Sequence, residues 1–142
     1  LVFTTLTKQA LPMIRYRTRD LTRLLPGTAR PAMRRMAKIA ARSDDMLIVR
    51  GVNVFPSQIE EQILRVPALA PHYVLELTRE GRLDALTVRV ETREWLDDNR
   101  ESARILEERV KDLIGVSIRV IVAPPGSIER SAGKAKRLID KR

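Results

Sequence analysis

The chain has 142 residues, of which 44% are hydrophobic and 32% charged, a balance typical of a folded globular protein. It contains no cysteine and one histidine, which excludes a disulfide framework and a cysteine-based zinc site, so no metal-ligating residues are predicted. Aromatic residues amount to 4%, too few for a platform that stacks single-stranded nucleic acid. The net charge of +9 would nevertheless suggest a nucleic-acid binder.

The positive charge is concentrated at the two ends of the chain. Residues 1–42 contain ten basic side chains and one acidic one, a net charge of +9. Residues 43–127 have a net charge of −4, and residues 128–142 have a net charge of +4. A duplex-binding protein carries its basic patch on the folded part of the chain. An acidic middle therefore argues against a nucleic-acid partner.

The first residues, Leu-Val-Phe-Thr-Thr-Leu, resemble a β-strand and not a signal peptide. No apolar run approaches the roughly 18–20 residues that cross a bilayer. The sequence therefore predicts a soluble cytoplasmic protein with no membrane contact. The abrupt start predicts that the chain is the carboxy-terminal piece of something longer.

The first part of the chain is predicted to be a short antiparallel meander followed by a linker. Alternating and β-branched residues predict strands over 2–6, 13–18 and 21–25, closed by Pro26-Gly27. Residues 28–40 are basic and weakly patterned, which predicts an exposed ribbon. A segment of this size buries little core by itself and needs a larger body to pack on.

From Asp44 onwards the pattern predicts a self-contained α+β domain. Strands are predicted over 46–49, 73–78, 86–91 and 118–122. One helix is predicted to start at Pro56-Ser57, with Ser57 and Glu60 in a capping box, and a second to lie between Asn99 and Gly115. The order β-α-β-β-α-β is that of a ferredoxin-like fold, with two helices on one face of a four-stranded antiparallel sheet. The tail after Gly126 is predicted to be mobile until it docks on another surface.

Three motifs occur in a fixed order along the chain. The first is Y-R-T-R-D at residues 16–20, the second starts at Arg42 as R-S-D-D and continues through R-G-V-N-V-F-P, and the third is S-A-G-K-A-K-R at residues 131–137. Each has a plain explanation by itself: a salt-bridge partner, a linker leading to a capped helix, and a solvated basic tail. Their order and spacing together favour a functional interpretation.

The chain resembles the carboxy-terminal region of the adenylate-forming enzymes, the acyl-CoA synthetase and luciferase superfamily. These enzymes carry Y-R-T-x-D at a strand end, then G-R-x-D-D at a hinge, then a late S-G-K, and the resemblance covers essentially the whole chain. It implies that residues 1–42 are the end of a large AMP-binding domain and that residues 43–142 are the mobile small domain. The sequence R-T-R-D at residues 17–20 further resembles the motif of a subfamily that activates phenylacetate or a similar aryl acid.

The resemblance implies an AMP-forming acid–thiol ligase that uses ATP, coenzyme A and an aryl acid, and that is inactive as this fragment alone. Asp20 corresponds to the acid that holds the ribose hydroxyls, and a carboxylate suits a vicinal diol. Arg42 corresponds to the hinge arginine near the ribose or α-phosphate. Lys134 corresponds to the catalytic lysine of adenylation, where an ammonium stabilises charge that develops in the transition state.

The same resemblance makes Asp44 the hinge residue about which the small domain rotates between half-reactions. After rotation the loop formed by Arg50, Gly51, Val52 and Asn53 would face coenzyme A, with Gly51 allowing close backbone approach. Ala41 stands where the family usually has glycine before the hinge arginine, which leaves the pivot residue open.

The phosphate loop and the acid pocket are missing, so Mg²⁺ is expected to be bound mainly outside this sequence and by substrate phosphates. An exposed sheet edge could pair two copies into a homodimer.

Two other classes of function remain open from the sequence. A ferredoxin-like RNA-binding domain with basic arms would show salt-dependent RNA affinity, but its sheet would have only one aromatic residue, Tyr73. A small-molecule regulatory domain would leave the segment 131–137 unexplained.

Overall fold

The computed structural model describes residues 1–95, 98–130 and 137–142. Within these residues the chain divides into two compact units, Leu1–Met46 and Leu47–Arg142. The sequence predicts a functional boundary after residue 42, which stays a prediction. Each unit is described by itself below.

The first unit is built from short antiparallel strand pairs. Its strands are β1 (Val2–Phe3), β2 (Tyr16–Arg17), β3 (Asp20–Leu21), β4 (Leu24–Leu25), β5 (Arg35–Met36) and β6 (Ala41–Arg42). β1 pairs with β2, β3 with β6 and β4 with β5, each antiparallel. The β4–β5 pair lies inside the β3–β6 pair, so the chain from β3 to β6 forms an antiparallel hairpin.

The returning half of this hairpin is the segment that the sequence predicts to be an exposed ribbon. The backbone N–H of Ala40 donates to the carbonyl of Leu21 at 2.9 Å, and the hydroxyl of Thr22 donates to the carbonyl of Ala37 at 2.8 Å. The side chains of residues 28–36 are exposed as expected, but part of the backbone is paired. A single continuous strand over 21–25 is wrong, because the pairing is interrupted between β3 and β4.

The second unit contains the helices of the described residues. Its elements are β7 (Leu47–Val49), β8 (Val52–Val54), α1 (Pro56–Leu64), β9 (Leu69–Glu80), β10 (Leu83–Thr92), α2 (Arg100–Ile114), β11 (Arg119–Ala123) and β12 (Leu138–Asp140). The α+β class and the order of the helices and their neighbouring strands agree with the sequence prediction. β9 and β10 extend further than predicted and form a long hairpin joined by a two-residue turn at Gly81-Arg82.

The sheet differs from the predicted ferredoxin-like arrangement. Its order within the described residues is β11-β10-β9-β12, with β9 and β10 antiparallel, β11 parallel to β10, and β12 parallel to β9. β7 pairs with β8 and lies outside this sheet. The tight turn at Arg50-Gly51 returns the chain beside β7, and β12 pairs with the edge of β9. The tail after Gly126 is therefore partly an ordered strand, contrary to the prediction of a mobile tail.

One apolar core lies between the helices and one face of the sheet. Its largest fully buried apolar members come from β7, β8, α1, β9, β10 and α2: Val49, Val54, Ile59, Ile63, Leu69, Leu75, Leu77, Leu86, Val88, Val90 and Leu106. These positions repeat every two residues in the strands and every three or four in the helices, as amphipathic elements require.

The ends of the two helices test the capping predictions. α1 starts one residue before the predicted cap, with Phe55 as N-cap and Pro56 in the first turn. The amide oxygen of Gln58 accepts a hydrogen bond from the Phe55 N–H at 3.0 Å, so the predicted capping box of Ser57 and Glu60 is wrong. α2 ends at Gly115, which has a φ of 81° as a left-handed C-cap requires.

Candidate functional site

Asp20, Arg42 and Asp44 lie together in the first unit. Asp20 and Arg42 are directly opposite each other in the β3–β6 pair, and the guanidinium NH1 is 3.9 Å from Asp20 Oδ1. Arg42 also donates from Nε to Asp44 Oδ1 at 3.0 Å and from NH2 to Asp44 Oδ2 at 2.8 Å. Two parallel hydrogen bonds between a guanidinium and a carboxylate fix the orientation of both groups. We call Asp20, Arg42 and Asp44 the Arg42 cluster.

The electrostatics of the Arg42 cluster follow from this pairing. The hydrogen bonds that Arg42 donates to Asp44 raise the pKa of Arg42 and lower the pKa of Asp44. Arg19 adds a second cation, with its NH1 3.6 Å from Asp44 Oδ2. The Arg42 side chain is exposed, so an incoming anion could reach it, whereas the Asp20 side chain is only 18% exposed.

The segment around Arg19 is held in an uncommon conformation. Arg19 has a φ of 67°, a left-handed value that side chains other than glycine rarely adopt. Its carbonyl accepts hydrogen bonds from the backbone N–H of Ser43 at 2.8 Å and from the Ser43 hydroxyl at 3.1 Å. These two bonds tie the end of the first motif to the start of the second.

The loop of Arg50, Gly51, Val52 and Asn53 lies in the second unit, at the tip of the β7–β8 hairpin. Val49 and Val52 are paired, so Arg50 and Gly51 form a two-residue turn, with φ values of 52° and 80°. Positive φ at both positions is the geometry that follows the twist of a hairpin. Arg50, Gly51 and Asn53 are exposed, whereas Val52 packs against the core. The turn therefore presents backbone to solvent on a fixed base.

The base of this turn is held by a cluster of ion pairs around Asp84. Arg50 donates from Nε to the Asp84 carbonyl at 2.8 Å. The Asp84 carboxylate accepts from Arg79 Nε at 3.0 Å and from Arg142 NH1 at 3.1 Å. The side chain hydrogen bonds from Arg79 and Arg142 lower the pKa of Asp84 despite partial desolvation. The hairpin tip, β10 and the last residue of the sequence are thus connected.

Lys134, the predicted catalytic lysine, lies outside the described residues, but Ile128 and Arg130, which precede the undescribed residues, are bound to Glu91. Arg130 donates from NH1 to Glu91 Oε1 at 3.0 Å and from NH2 to Glu91 Oε2 at 2.7 Å. The backbone N–H of Ile128 donates to Glu91 Oε1 at 2.7 Å. The Glu91 side chain is 2% exposed, whereas that of Arg130 is 49% exposed. A buried carboxylate at the end of β10 therefore binds the chain just before residue 131.

The residue after the same segment is also held. Arg137 NH1 lies 2.6 Å from Glu60 Oε2 and donates to the Tyr73 hydroxyl at 3.1 Å. The guanidinium carbon stands 4.8 Å from the centre of the Tyr73 ring, within the range of a cation–π contact. The Arg137 carbonyl accepts from the Leu75 N–H at 2.7 Å, which starts the pairing of β12 with β9. We call Glu91–Arg130 and Glu60–Tyr73–Arg137 the two tethers.

The pKa values at the tethers reflect burial and pairing. Burial by itself would raise the pKa of Glu91, but hydrogen bonds from Arg130 and from the N–H groups of Ile128 and Gly126 outweigh it and lower that pKa. Burial, with the nearby Glu60 charge, raises the pKa of Tyr73 to about 12. Glu91 is thus an anion and Tyr73 a neutral hydroxyl at neutral pH.

Sequence reasoning missed the anchoring roles of Glu91, Glu60 and Tyr73. Glu91 follows the alternation of β10, which places a polar residue towards solvent and gives no sign that the tail covers it. The sequence predicts Glu60 to be part of the capping box of α1. The available signal for these contacts was the pair of arginines near Lys134, with Arg130 four residues before it and Arg137 three residues after it.

Neither a metal site nor a membrane span is found in the part of the chain that the structure describes. No three His, Cys, Asp or Glu side chains among those residues are grouped so that they could hold a metal ion. No helix in the same residues is long and apolar enough to cross a membrane.

Comparison with known proteins gives one family. The family model described as the AMP-binding enzyme C-terminal domain matches residues 51–142. Over its whole length the chain is 56% identical to a phenylacetate-coenzyme A ligase of Escherichia coli strain K12 and 57% identical to one of Aromatoleum evansii. It covers 33% and 34% of these two proteins, so it spans about a third of the length of the curated relatives it matches.

A solved structure agrees with this match. The chain superposes with a TM-score of 0.83 and 31% identity on a 2-hydroxyisobutyryl-CoA ligase in the postadenylation state, in complex with R3-HIB-AMP. The alignment covers 99% of this chain and 31% of that one.

Proposed function

Because the chain belongs to the family of AMP-binding enzyme C-terminal domains, we propose that it is the carboxy-terminal part of an AMP-forming phenylacetate–coenzyme A ligase. The observation that carries the proposal is the identity of more than half of all residues to ligases of that name, over the full chain. In the first half-reaction the carboxylate of phenylacetate attacks the α-phosphorus of ATP and pyrophosphate leaves. In the second, the thiol of coenzyme A attacks the acyl carbon and AMP leaves.

The Arg42 cluster is the proposed nucleotide contact of this part of the ligase. Asp20 would accept hydrogen bonds from the two ribose hydroxyls, since a carboxylate has two oxygens spaced for a vicinal diol. Arg42 would direct its guanidinium at the α-phosphate, where a planar fork can bind two oxygens. The exposure of the Arg42 side chain and the neighbouring cation Arg19 support this role.

Lys134 is the proposed catalytic group of adenylation, although it lies outside the described residues. Negative charge increases on the oxygens of the α-phosphate and on the leaving pyrophosphate as the phosphorus–oxygen bond breaks. An ammonium placed at that point stabilises the transition state more than the ground state. The role is transferred from the match of S-A-G-K to the late S-G-K of the family.

Asp44 is the proposed hinge residue of the rotation between the half-reactions. A hinge changes its backbone angles while the residues on either side keep their structure. Asp44 is the residue that the side chains of Arg42 and Arg19 hold in the structure. Rotation about it would require this pairing to loosen, and phosphate oxygens could then take over Arg42.

The hairpin tip of residues 50–53 is the proposed coenzyme A surface. The tip exposes backbone at Gly51, where the absence of a side chain permits close approach of the pantetheine arm. The ion pairs around Asp84 give it a fixed base. We expect Mg²⁺ to enter with the ATP phosphates and the reaction to run in the cytoplasm, where ATP and coenzyme A are abundant.

The test is ATP–pyrophosphate exchange by the complete ligase that contains this sequence. We expect exchange that depends on phenylacetate, followed by thioester formation when coenzyme A is added. The 142-residue chain alone serves as the control and should give no exchange, because the phosphate loop is outside it. Failure of phenylacetate to support any exchange by the complete ligase would overturn the proposal.

A further inference from the structure

Arg19 has a strained backbone conformation that no hairpin turn requires. Its φ of 67° lies in the left-handed region, which is unfavourable for any residue with a Cβ atom. Arg19 joins β2 to β3, and these two strands pair with β1 and β6 and not with each other. Strained residues persist only where the surrounding structure imposes them, and they are concentrated at functional sites. The strain therefore points to a role for the Arg19 side chain.

Hydrogen bonds on both sides of Arg19 impose this conformation. Its carbonyl accepts from the backbone N–H of Ser43 at 2.8 Å and from the Ser43 hydroxyl at 3.1 Å. On the other side, the N–H of Asp20 donates to the hydroxyl of Thr18 at 3.2 Å. Asp20 is in turn paired with Arg42 in the β3–β6 ladder. Arg19 is thus fixed beside the residues that begin the second motif.

The side chain of Arg19 lies next to the carboxylate that binds Arg42. Its NH1 is 3.6 Å from Asp44 Oδ2, the same oxygen that accepts a hydrogen bond from Arg42 NH2 at 2.8 Å. Two guanidinium groups therefore share one carboxylate oxygen, and Arg42 is the one within hydrogen-bond distance. A movement of about 1 Å would bring Arg19 NH1 to the same distance from Asp44. The Arg19 side chain is exposed and free to make this movement.

Asp44 needs a second cation if Arg42 turns to a phosphate. The hydrogen bonds from Arg42 lower the pKa of Asp44, and the charges of Arg42 and Arg19 lower it further, so Asp44 is an anion at neutral pH. Its side chain is only 27% exposed, and a partly buried carboxylate that loses its partner is left with an uncompensated charge. The Asp45 carboxylate, 3.8 Å from Arg42 Nε, adds negative charge to the same place. Arg19 is the cation that already stands beside Asp44.

We propose that Arg19 is a positioning residue for ATP binding, which takes over the carboxylate of Asp44 when the guanidinium of Arg42 turns to the nucleotide phosphates. The inference rests on the proposed nucleotide contact of Arg42 and deepens it. Because Arg19 keeps Asp44 compensated, the release of Arg42 costs less free energy and ATP binds more tightly. Arg19 acts through Asp44 and does not need to touch the nucleotide. The strained backbone is the conformation that keeps its side chain at that carboxylate.

The experiment measures phenylacetate-dependent ATP–pyrophosphate exchange by the complete ligase with Arg19→Gly, and with Arg15→Gly as the matched control. Arg15 is an exposed arginine of the same unit with a φ of 50°, and its N–H donates to the Thr4 hydroxyl, outside the Arg42 cluster. Glycine adopts positive φ without steric cost, so both variants should unfold at about the same urea concentration as the parent.

We expect Arg19→Gly to raise the KM for ATP about three- to fivefold, which is the scale of one exposed ion pair. Arg15→Gly should leave the KM for ATP unchanged. The KM for phenylacetate and kcat should stay within about twofold of the parent in both variants, because the acid and the reacting atoms are not contacted by Arg19. A merely structural defect would not be confined to the KM for ATP.

Two further variants test the charge of Arg19 and its action through Asp44. Arg19→Lys keeps a cation and should keep the KM for ATP within about twofold of the parent. In a ligase that carries Asp44→Asn, adding Arg19→Gly should raise this KM no further, because the carboxylate that Arg19 compensates is gone.

Three results would overturn the inference and leave the proposed function intact. These are a KM for ATP in Arg19→Gly equal to that of Arg15→Gly, a lysine variant that behaves like the glycine variant, and a further rise in the Asp44→Asn background. The last result would mean that Arg19 binds the nucleotide directly. If the parent ligase shows no phenylacetate-dependent exchange, the proposed function fails, and the inference fails with it.

Discussion

Arg42 is the residue at which two proposed roles meet. Its guanidinium donates two hydrogen bonds to the carboxylate of Asp44, and its NH1 lies 3.9 Å from Asp20. A group with five fixed donors can serve two carboxylates, but a phosphate would have to displace one of them. The proposed hinge and the proposed nucleotide contact therefore compete for the same side chain. Nucleotide binding and loosening of the hinge would accompany each other.

Glu91 gives a pH dependence whose sign follows from its lowered pKa. Its folded-state pKa lies below its ordinary value of 4.5, so the ionised form is favoured by folding. The stability it contributes is fully present above about pH 4.5 and is lost as the pH falls through the folded-state pKa. We expect Glu91→Gln to lower the free energy of unfolding by about 1–3 kcal/mol at pH 7, and by progressively less as the pH falls from about 4.5 to 3.

The measurement is urea unfolding of the 142-residue chain, followed by the fluorescence of Trp95, its single tryptophan, which lies in the second unit. Glu61→Gln is the control and should change the free energy of unfolding by less than about 0.5 kcal/mol at either pH. Other acids titrate in the same range, but they are common to all three proteins and cancel in the differences. A loss in Glu91→Gln that is as large at pH 3 as at pH 7 would contradict the assignment.

At the residue scale, the sequence anticipated the Arg42 cluster and missed the tethers for a physical reason. Asp20, Arg42 and Asp44 belong to motifs whose order along the chain could be compared with a family. The burial of Glu91 depends on residues 126–130 crossing the end of β10, a long-range contact with no local pattern. Strand alternation alone predicts that such a glutamate faces water.

In the β7–β8 hairpin, the effect of backbone strain at Gly51 on stability can be measured separately from its effect on thioester formation. Gly51 has a φ of 80° with nothing within 4 Å of an added Cβ, so an alanine there would be strained without a clash. We expect Gly51→Ala to lower the free energy of unfolding by about 1 kcal/mol. It should also slow thioester formation from supplied phenylacetyl-adenylate, because the added methyl group lies on the proposed coenzyme A surface.

Gly81→Ala is the matched control for this prediction. Gly81 has a φ of 64°, sits in the turn of the β9–β10 hairpin and also has open space around it. Its replacement should cost a similar free energy of unfolding and leave the rate of thioester formation unchanged. Equal rates of thioester formation in the two variants would contradict a coenzyme A surface at residues 50–53.

At the element scale, the local patterns were sufficient for helices and for the central hairpin. The amphipathic period of α2 and its glycine stop predicted its extent closely, whereas the alternation in β9 and β10 predicted the hairpin but not the full length of its strands. Strand order could not be predicted in the same way, because it depends on which edges remain free after the hairpins close. The turn at Arg50-Gly51 pairs β7 with β8, and the edge of β9 then accepts β12 from the end of the chain.

For the whole molecule, the net charge of +9 now has a different meaning. Residues 1–42 account for the entire excess, and they include Asp20 and Arg42 of the Arg42 cluster. In the second unit, the positive charges of Arg130 and Arg137 are paired with the carboxylates of Glu91 and Glu60. Tyr73, the aromatic residue that an RNA-binding sheet would need on its surface, is buried in the core. A small polyanion such as ATP suits this distribution better than a nucleic acid.

The central claim is that Lys134 serves adenylation and not thioester formation, and it is tested directly by measuring both half-reactions of the complete ligase with Lys134→Ala. The control is Lys111→Ala, which removes an exposed lysine near the end of α2. We expect Lys134→Ala to reduce phenylacetate-dependent ATP–pyrophosphate exchange by about 10²–10³-fold, the usual cost of removing one group that stabilises transition-state charge. Thioester formation from supplied phenylacetyl-adenylate should stay close to that of Lys111→Ala. Equal losses in the two half-reactions, or exchange equal to that of the control, would contradict the claim.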